Sequence, residues 1–149
     1  VPTRKTTPGL RAVERYAVRV GGGADHRFGL DDAVLVKDNH RIVAGGLTEA
    51  VRRVRGRVGH LVKVEVEVDT LEQLDEALGL GVDAVLLDNM GLDELRQAVR
   101  ICRGRVVTEA SGGITPQTAA AVAATGVDLL SIGWITHSAP ALDVGFQLR

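Results

Sequence analysis

The sequence predicts an α/β fold built on a parallel sheet. Three observations predict it. Short apolar runs bounded by Gly or Asp recur along the chain, as in strands that helices cover. One segment, Val62-Lys63-Val64-Glu65-Val66-Glu67-Val68, alternates strictly, its valines facing one way and its charges the other. Between these runs lie apolar residues at helical spacing. Alternating strand and helix units make a parallel sheet, open or closed.

In chain order, Thr7-Pro8-Gly9 starts a helix over Leu10 to Val18. Ala33-Val34-Leu35-Val36 is the first strand visible, and Leu47, Val51, Val54 and Val58 mark the next helix. After the alternating strand, Thr70 with Gln73 three residues on forms a capping box for a helix through Leu71, Leu74 and Leu78. Ala84-Val85-Leu86-Leu87 is a strand, Leu92, Leu95 and Val99 a helix, and Arg105-Val106-Val107-Thr108 a strand. Thr115-Pro116 places a cap before a proline at the first helical position. Leu129-Leu130-Ser131-Ile132 closes the series, and Gly79 and Gly126 suit helix ends with positive φ. Gly81-Val82-Asp83 is echoed by Gly126-Val127-Asp128, 45 residues later, which is two units of about 22.

Five visible strands in 149 residues fall short of a closed (β/α)₈ barrel, which normally needs roughly 200 residues or more. The expected architecture is therefore a partial TIM-like α/β barrel. It spans residues 1–149 as a single domain incomplete at its N-terminus, because polar Thr3-Arg4-Lys5-Thr6 begins where a strand should precede it.

Composition is that of a globular protein: 45% hydrophobic, 25% charged and a mean hydropathy of +0.10. No apolar run approaches a membrane span, and Val1-Pro2-Thr3-Arg4 has no signal-peptide core. With a single cysteine, Cys102, a cytoplasmic location is expected. Net charge of −1 and 3% aromatics offer nucleic acid and anionic membranes little. Charge is uneven along the chain. Residues 1–41 carry eight Lys/Arg against five Asp/Glu, and the remainder carries ten against fourteen. A basic front and an acidic rear suit a site holding an anion together with a cation, though surface scatter gives such counts too.

In parallel βα folds, ligands sit at the carboxyl ends of strands. Those ends read Lys37-Asp38-Asn39-His40, then Glu67 and Asp69, then Asp88-Asn89, then Glu109-Ala110-Ser111-Gly112-Gly113, then Gly133-Trp134-Ile135-Thr136-His137. Glycine loops before a helix offer backbone N–H groups to a phosphate, or serve only as tight turns. Two such loops in succession favour phosphate. Glu67 and Asp88 close adjacent strands and project toward a shared centre. There they can hold Mg²⁺, ribose hydroxyls or a developing cation, or else pair with Lys37, Lys63 or Arg27. Arg4-Lys5 and His26-Arg27 add cations able to grip carboxylates and phosphates. Cys102 has no adjacent His and reads as a core thiol, and His60 reads as surface.

Thr3-Arg4-Lys5-Thr6-Thr7-Pro8-Gly9, Gly21-Gly22-Gly23, His26-Arg27-Phe28-Gly29-Leu30 and Lys37-Asp38-Asn39-His40 strongly resemble quinolinate phosphoribosyltransferase. So do Val64-Glu65-Val66-Glu67-Val68-Asp69, Leu86-Leu87-Asp88-Asn89, Glu109-Ala110-Ser111-Gly112-Gly113 and Thr136-His137-Ser138, in matching order and spacing. Lys37-Asp38-Asn39-His40 separates the chain from ModD-type molybdenum-transport proteins, which share the Thr-Arg-Lys and His-Arg segments. The resemblance implies a catalytic barrel domain. Its reaction converts quinolinate and phosphoribosyl pyrophosphate to nicotinate mononucleotide, pyrophosphate and CO₂, with Mg²⁺, in NAD synthesis.

By position, the resemblance makes Thr3, Arg4, Lys5, His26, Arg27 and Lys37 substrate-binding, with Glu67 and Asp88 near ribose and metal. Lys5, Lys37, Glu67 and Asp88 are the implied catalytic groups. Ser111, Gly112, Gly113, Ile132, Gly133, Trp134 and His137 match the 5′-phosphate loops. Relatives run to nearly twice this length, with an amino-terminal α/β domain and a first barrel strand. A homodimer, or a separate chain supplying that domain, is the expected assembly. Trp134 stands where the family usually has alanine. The competing readings are a truncated, catalytically impaired phosphate-binding barrel fragment and a ModD-like protein.

Overall fold

A computed structural model describes residues 1–148. Five strands form one parallel sheet in the order β1-β2-β3-β4-β5. They are β1 (Val34–Val36), β2 (Val64–Val68), β3 (Ala84–Asp88), β4 (Val107–Ser111) and β5 (Leu129–Leu130). The helices are α1 (Arg11–Val20), α2 (Asp38–Ala44), α3 (Leu47–Arg55), α4 (Leu71–Gly79), α5 (Leu92–Cys102), α6 (Ala119–Ala123) and α7 (Trp134–His137). Consecutive strands are neighbours joined through helices, as parallel pairing requires. The α/β class and the partial-barrel strand count stand as expected.

Both faces of the sheet are used. On β2, Val64, Val66 and Val68 are fully buried, and Val66 and Val68 pack with Leu74, Ala77, Leu78, Leu87, Leu95 and Ala98 of the strand–helix layer. The intervening Glu65 and Glu67 point the other way, toward the hollow of the sheet. Flat sheets set the outer two of five strands about 19 Å apart, at roughly 4.8 Å per step. Here Leu35 of β1 and Ser131, just past β5, line the same pocket, so the sheet curls. Beyond β5 the backbone of Val1 continues the parallel ladder. Its amino group donates to the Leu130 carbonyl at 2.6 Å, and the Ile132 N–H donates back to the Val1 carbonyl at 3.0 Å. That pairing brings Thr3, Arg4 and Lys5 over the strand ends.

The repeated Gly-Val-Asp has a structural job. Asp83 Oδ2 accepts from the Val64 N–H at 2.9 Å, and Asp128 Oδ2 accepts from the Thr108 N–H and hydroxyl, each at 2.8 Å. Each Asp so satisfies an N–H at the start of the neighbouring strand, the first of β2 and the second of β4, and Gly81 (φ +64°) and Gly126 (φ +91°) lead the chain into it.

Several boundaries differ from expectation. Gly79 is the last residue of α4 and has no positive φ; Gly81 takes the left-handed position instead. In the capping box, Thr70 Oγ1 accepts from the Gln73 N–H at 3.3 Å as expected, but Gln73 reaches back to the Asp69 N–H at 2.8 Å. The helix expected from Pro116 starts at Ala119, because Thr118 Oγ1 caps the Thr115 N–H and holds that segment as a turn. β4 begins two residues later than read. Lys37-Asp38-Asn39-His40, read as a strand's carboxyl end, opens α2: His40 Nδ1 accepts from the Lys37 N–H at 2.9 Å. Cys102 is a buried thiol, and burial pushes its pKa up to about 11, as a core residue should be.

Candidate active site

At the carboxyl ends of the strands, Thr3, Arg4, Lys5, His26, Arg27, Lys37 and Ser111 line one pocket of about 290 Å³, with Leu35, Leu86 and Ser131. Volumes of this size suit a small ligand. The cations are crowded. Burial, and then the charge of Arg4, lower the Arg27 guanidinium from its ordinary pKa, with Glu65 and Asp32 opposing. Arg4 Nε is buried and has no hydrogen-bond partner among the described residues. Like charges held together with an orphaned donor are an arrangement that a polyanion relieves.

Beneath these cations stand carboxylates. Lys37 Nζ forms an ion pair with the buried Glu67, whose second oxygen lies 3.5 Å from the Asp38 N–H. His26 Nε2 sits 3.4 Å from Glu65 and 3.5 Å from Glu109, which is only 2% exposed. Hydrogen bonding to Glu109 and then Glu65 raises the imidazole to about 9, against burial. A competing contact exists: the Arg27 N–H points at His26 Nδ1 from 2.7 Å and favours a proton on Nε2 only. That bond is worth about 1 kcal/mol. After solvent screening the carboxylates supply on the order of 2–3 kcal/mol, so the shift stays upward. The His26, Glu65 and Glu109 cluster is therefore an ion pair first.

The glycine loops flank the same mouth. Register pairs Asp88 with Ser111, and strand alternation puts Glu67, Leu86 and Asp88 on the hollow face. Asn89 donates its N–H to the Ser111 carbonyl at 2.9 Å. Gly112 (φ +101°) packs so tightly there that a Cβ would stand 2.2 Å from Asn89 Oδ1, while Gly113 (φ +59°) faces open space. At the next loop a Cβ on Gly133 would meet His137 Nε2 at 2.7 Å and Thr3 Cγ2 at 3.6 Å, so His137 folds back over Gly133 beside Thr3.

A family model described as "Quinolinate phosphoribosyl transferase, C-terminal domain" matches residues 1–147. The chain belongs to this family. It is 47% identical over 146 residues to a probable carboxylating nicotinate-nucleotide pyrophosphorylase of Bacillus subtilis, covering 98% of this chain and 50% of that protein. It is 44% identical to the carboxylating nicotinate-nucleotide pyrophosphorylase of Homo sapiens, again over 98% of this chain and 50% of the other. The solved nicotinate-nucleotide pyrophosphorylase of Francisella tularensis superposes with a TM-score of 0.87 at 46% identity, over 91% of this chain and 48% of that one. A NadC deletion mutant superposes at 0.91 with 45% identity, over 95% of this chain and 50% of that one. The chain thus spans about half the length of the curated relatives it matches.

For a quinolinate phosphoribosyl transferase domain, the expected residues fall in three groups. Thr3, Arg4, Lys5, His26, Arg27, Lys37 and Ser111 line the pocket directly. Glu67 is withdrawn behind Lys37, and Asp88 accepts from the Asn89 amide at 2.7 Å beside Ser111. Gly112, Gly113, Ile132, Gly133, Trp134 and His137 are not among its lining residues, and Trp134 opens α7. Sequence reasoning missed the second carboxylate layer, Glu65 and Glu109, as the partners of His26. Their signal was the unbroken Glu65/Glu67 alternation and the strand position of Glu109. It also missed Ser131, hidden inside an apolar run.

Proposed function

We propose that this domain carries phosphoribosyl transfer from phosphoribosyl pyrophosphate to quinolinate, with loss of CO₂, giving nicotinate mononucleotide for NAD synthesis. The observation that carries the reading is the crowd of Arg4, Lys5, His26, Arg27 and Lys37 around one small pocket, with Arg4 Nε buried and without a partner among the described residues. A dicarboxylate offers what those groups lack, because guanidinium forks match carboxylates bidentately. Holding the ring between Arg4 and Arg27 aims its nitrogen at the anomeric carbon of a sugar whose 5′-phosphate lies on the Ser111-Gly112-Gly113 and Gly133 loops. The ring nitrogen forms the new C–N bond as the C–O bond to pyrophosphate breaks. Oxocarbenium charge grows at that carbon, and Asp88 with Glu67 on the same sheet face stabilises it. Loss of CO₂ leaves an electron pair on the ring carbon, which takes up a proton.

Glu67 and Asp88 suit Mg²⁺ only in part. Two carboxylates, one of them engaged by Lys37, make no closed cage, but Mg²⁺ takes few protein ligands and completes its shell with water and substrate phosphate. Asp88 and Glu67 would hold such an ion, and its charge would offset that of the departing pyrophosphate. The family relationship supports a cytoplasmic homodimer as the working assembly. Among the described residues, no helix is long and apolar enough to cross a membrane.

Calorimetry with quinolinate tests this reading. Arg27→Ala should weaken binding at least about tenfold, and an unchanged affinity would remove Arg27 from the site. Mass spectrometry of the 149-residue chain with both substrates then asks for nicotinate mononucleotide; binding without product would leave a phosphate-binding barrel fragment.

A further inference from the structure

Helix α1 is inverted relative to an ordinary surface helix. Its apolar residues Val13, Tyr16 and Val20 are 65%, 59% and 67% exposed, while its one buried residue is Arg15, at 5%. Burying a guanidinium is costly unless its donors are used. Arg15 uses its two terminal nitrogens on one short segment, while its Nε is buried without a partner among the described residues. Nη1 donates to the Arg27 carbonyl at 3.0 Å, and Nη2 donates to the His26 carbonyl and to Asp25 Oδ1 at 3.3 Å. The guanidinium also stands over the Phe28 ring, 5.8 Å from its centroid. Four consecutive residues, 25 to 28, are thus tied to one side chain. That segment lies between α1 and β1, where no helix or strand fixes the backbone. Asp32 holds its far end, accepting from the Phe28 and Gly29 N–H groups at 2.5 and 3.0 Å.

We propose that Arg15 is a positioning residue that aims His26 and Arg27 into the pocket and so sets its affinity for a dicarboxylate. The proposal rests on the reading of His26 and Arg27 as partners of quinolinate. Both carbonyls are held from behind, so the two side chains leave the backbone toward the pocket that they line. His26 is thereby delivered between Glu65 and Glu109, and Arg27 beside Arg4. Only a planar fork reaches two successive carbonyls and a carboxylate together. Lysine, a point charge, keeps the charge and loses the geometry.

The test compares Arg15→Lys and Arg15→Met with the unaltered chain, using quinolinate and ribose 5-phosphate as separate calorimetric probes. Near-UV circular dichroism confirms that each variant folds, and if the Met variant does not fold, the Lys variant carries the comparison. Both variants should weaken quinolinate about tenfold or more and leave ribose 5-phosphate within about twofold, with no rescue by Lys. Equal loss for both probes would mean a merely structural role and overturn the proposal, as would unchanged quinolinate affinity. If the unaltered chain binds no quinolinate, the functional reading fails, and Arg15 is judged by the His26 imidazole signals in ¹H–¹⁵N spectra. Its titration midpoint should fall toward 6.5 in Arg15→Lys as His26 leaves its carboxylates; an unmoved midpoint would end the proposal.

Discussion

Glu67, buried on β2, holds the Lys37 ammonium at the pocket wall through an ion pair that joins the end of β1 to its neighbour. The cation is placed before any ligand arrives, so its ordering entropy is not charged to binding.

Removing either partner has a different consequence. Glu67→Gln keeps the shape but frees Lys37, and pyrophosphate binding should weaken about five- to tenfold by calorimetry. Lys37→Met leaves Glu67 buried without its charge partner and should cost about 1–3 kcal/mol in urea unfolding. Equal stability of Lys37→Met and the parent would show that Glu67 is solvated after all.

The first glycine loop separates close packing from free space. Gly112→Ala drives a Cβ to 2.2 Å from Asn89 Oδ1 and 2.9 Å from the Asn89 nitrogen. It should destabilise by more than about 2 kcal/mol and abolish ribose 5-phosphate binding. Gly113→Ala, with open space and only a left-handed φ to hold, should cost about 1 kcal/mol. Denaturant midpoints of the two variants in the reverse order would refute this account of the loop.

The paired aspartates predict matching stability losses. Asp128→Ala strands the Thr108 N–H and hydroxyl and should lower stability by about 1–3 kcal/mol at constant m. For Asp83, burial raises the carboxyl pKa, but Lys63 and the Val64 N–H prevail and hold it below 3.8. Its stabilisation is therefore complete above the unfolded value and is lost as pH falls through the depressed one. Asp83→Asn should flatten the acid limb of the stability curve, and an unaltered limb would assign acid sensitivity elsewhere.

His26 carries the opposite sign. Glu109 and Glu65 raise it from 6.5 to about 9, so its contribution is full below 6.5 and disappears as pH rises through the folded value. Quinolinate affinity should fall over the same alkaline window. Glu109→Gln should draw the NMR midpoint of His26 back toward 6.5, and a midpoint already at 6.5 in the parent would show that the Arg27 N–H outweighs the carboxylates.

Strand positions, helix spacing and the two polar loop sets were legible because each rests on a local rule. The period of two in Val62–Val68 and the period of 3.6 in α4 and α5 survive any tertiary context that buries one face. The gathering of Arg4, Lys5, His26, Arg27 and Lys37 in one pocket was legible too, since all five lie at the carboxyl ends of the strands. What the sequence by itself determined, then, is the kind of sheet and the inventory of groups at its carboxyl ends. Only the tertiary structure decided the pairings: Glu67 with Lys37, Glu65 and Glu109 with His26, and Arg15 with residues 25 to 28. The reason is that curl of the sheet and the path of an irregular loop depend on long-range packing. No local spacing reveals which carboxylate an imidazole will meet, or that the buried residue of an apolar helix will be its arginine.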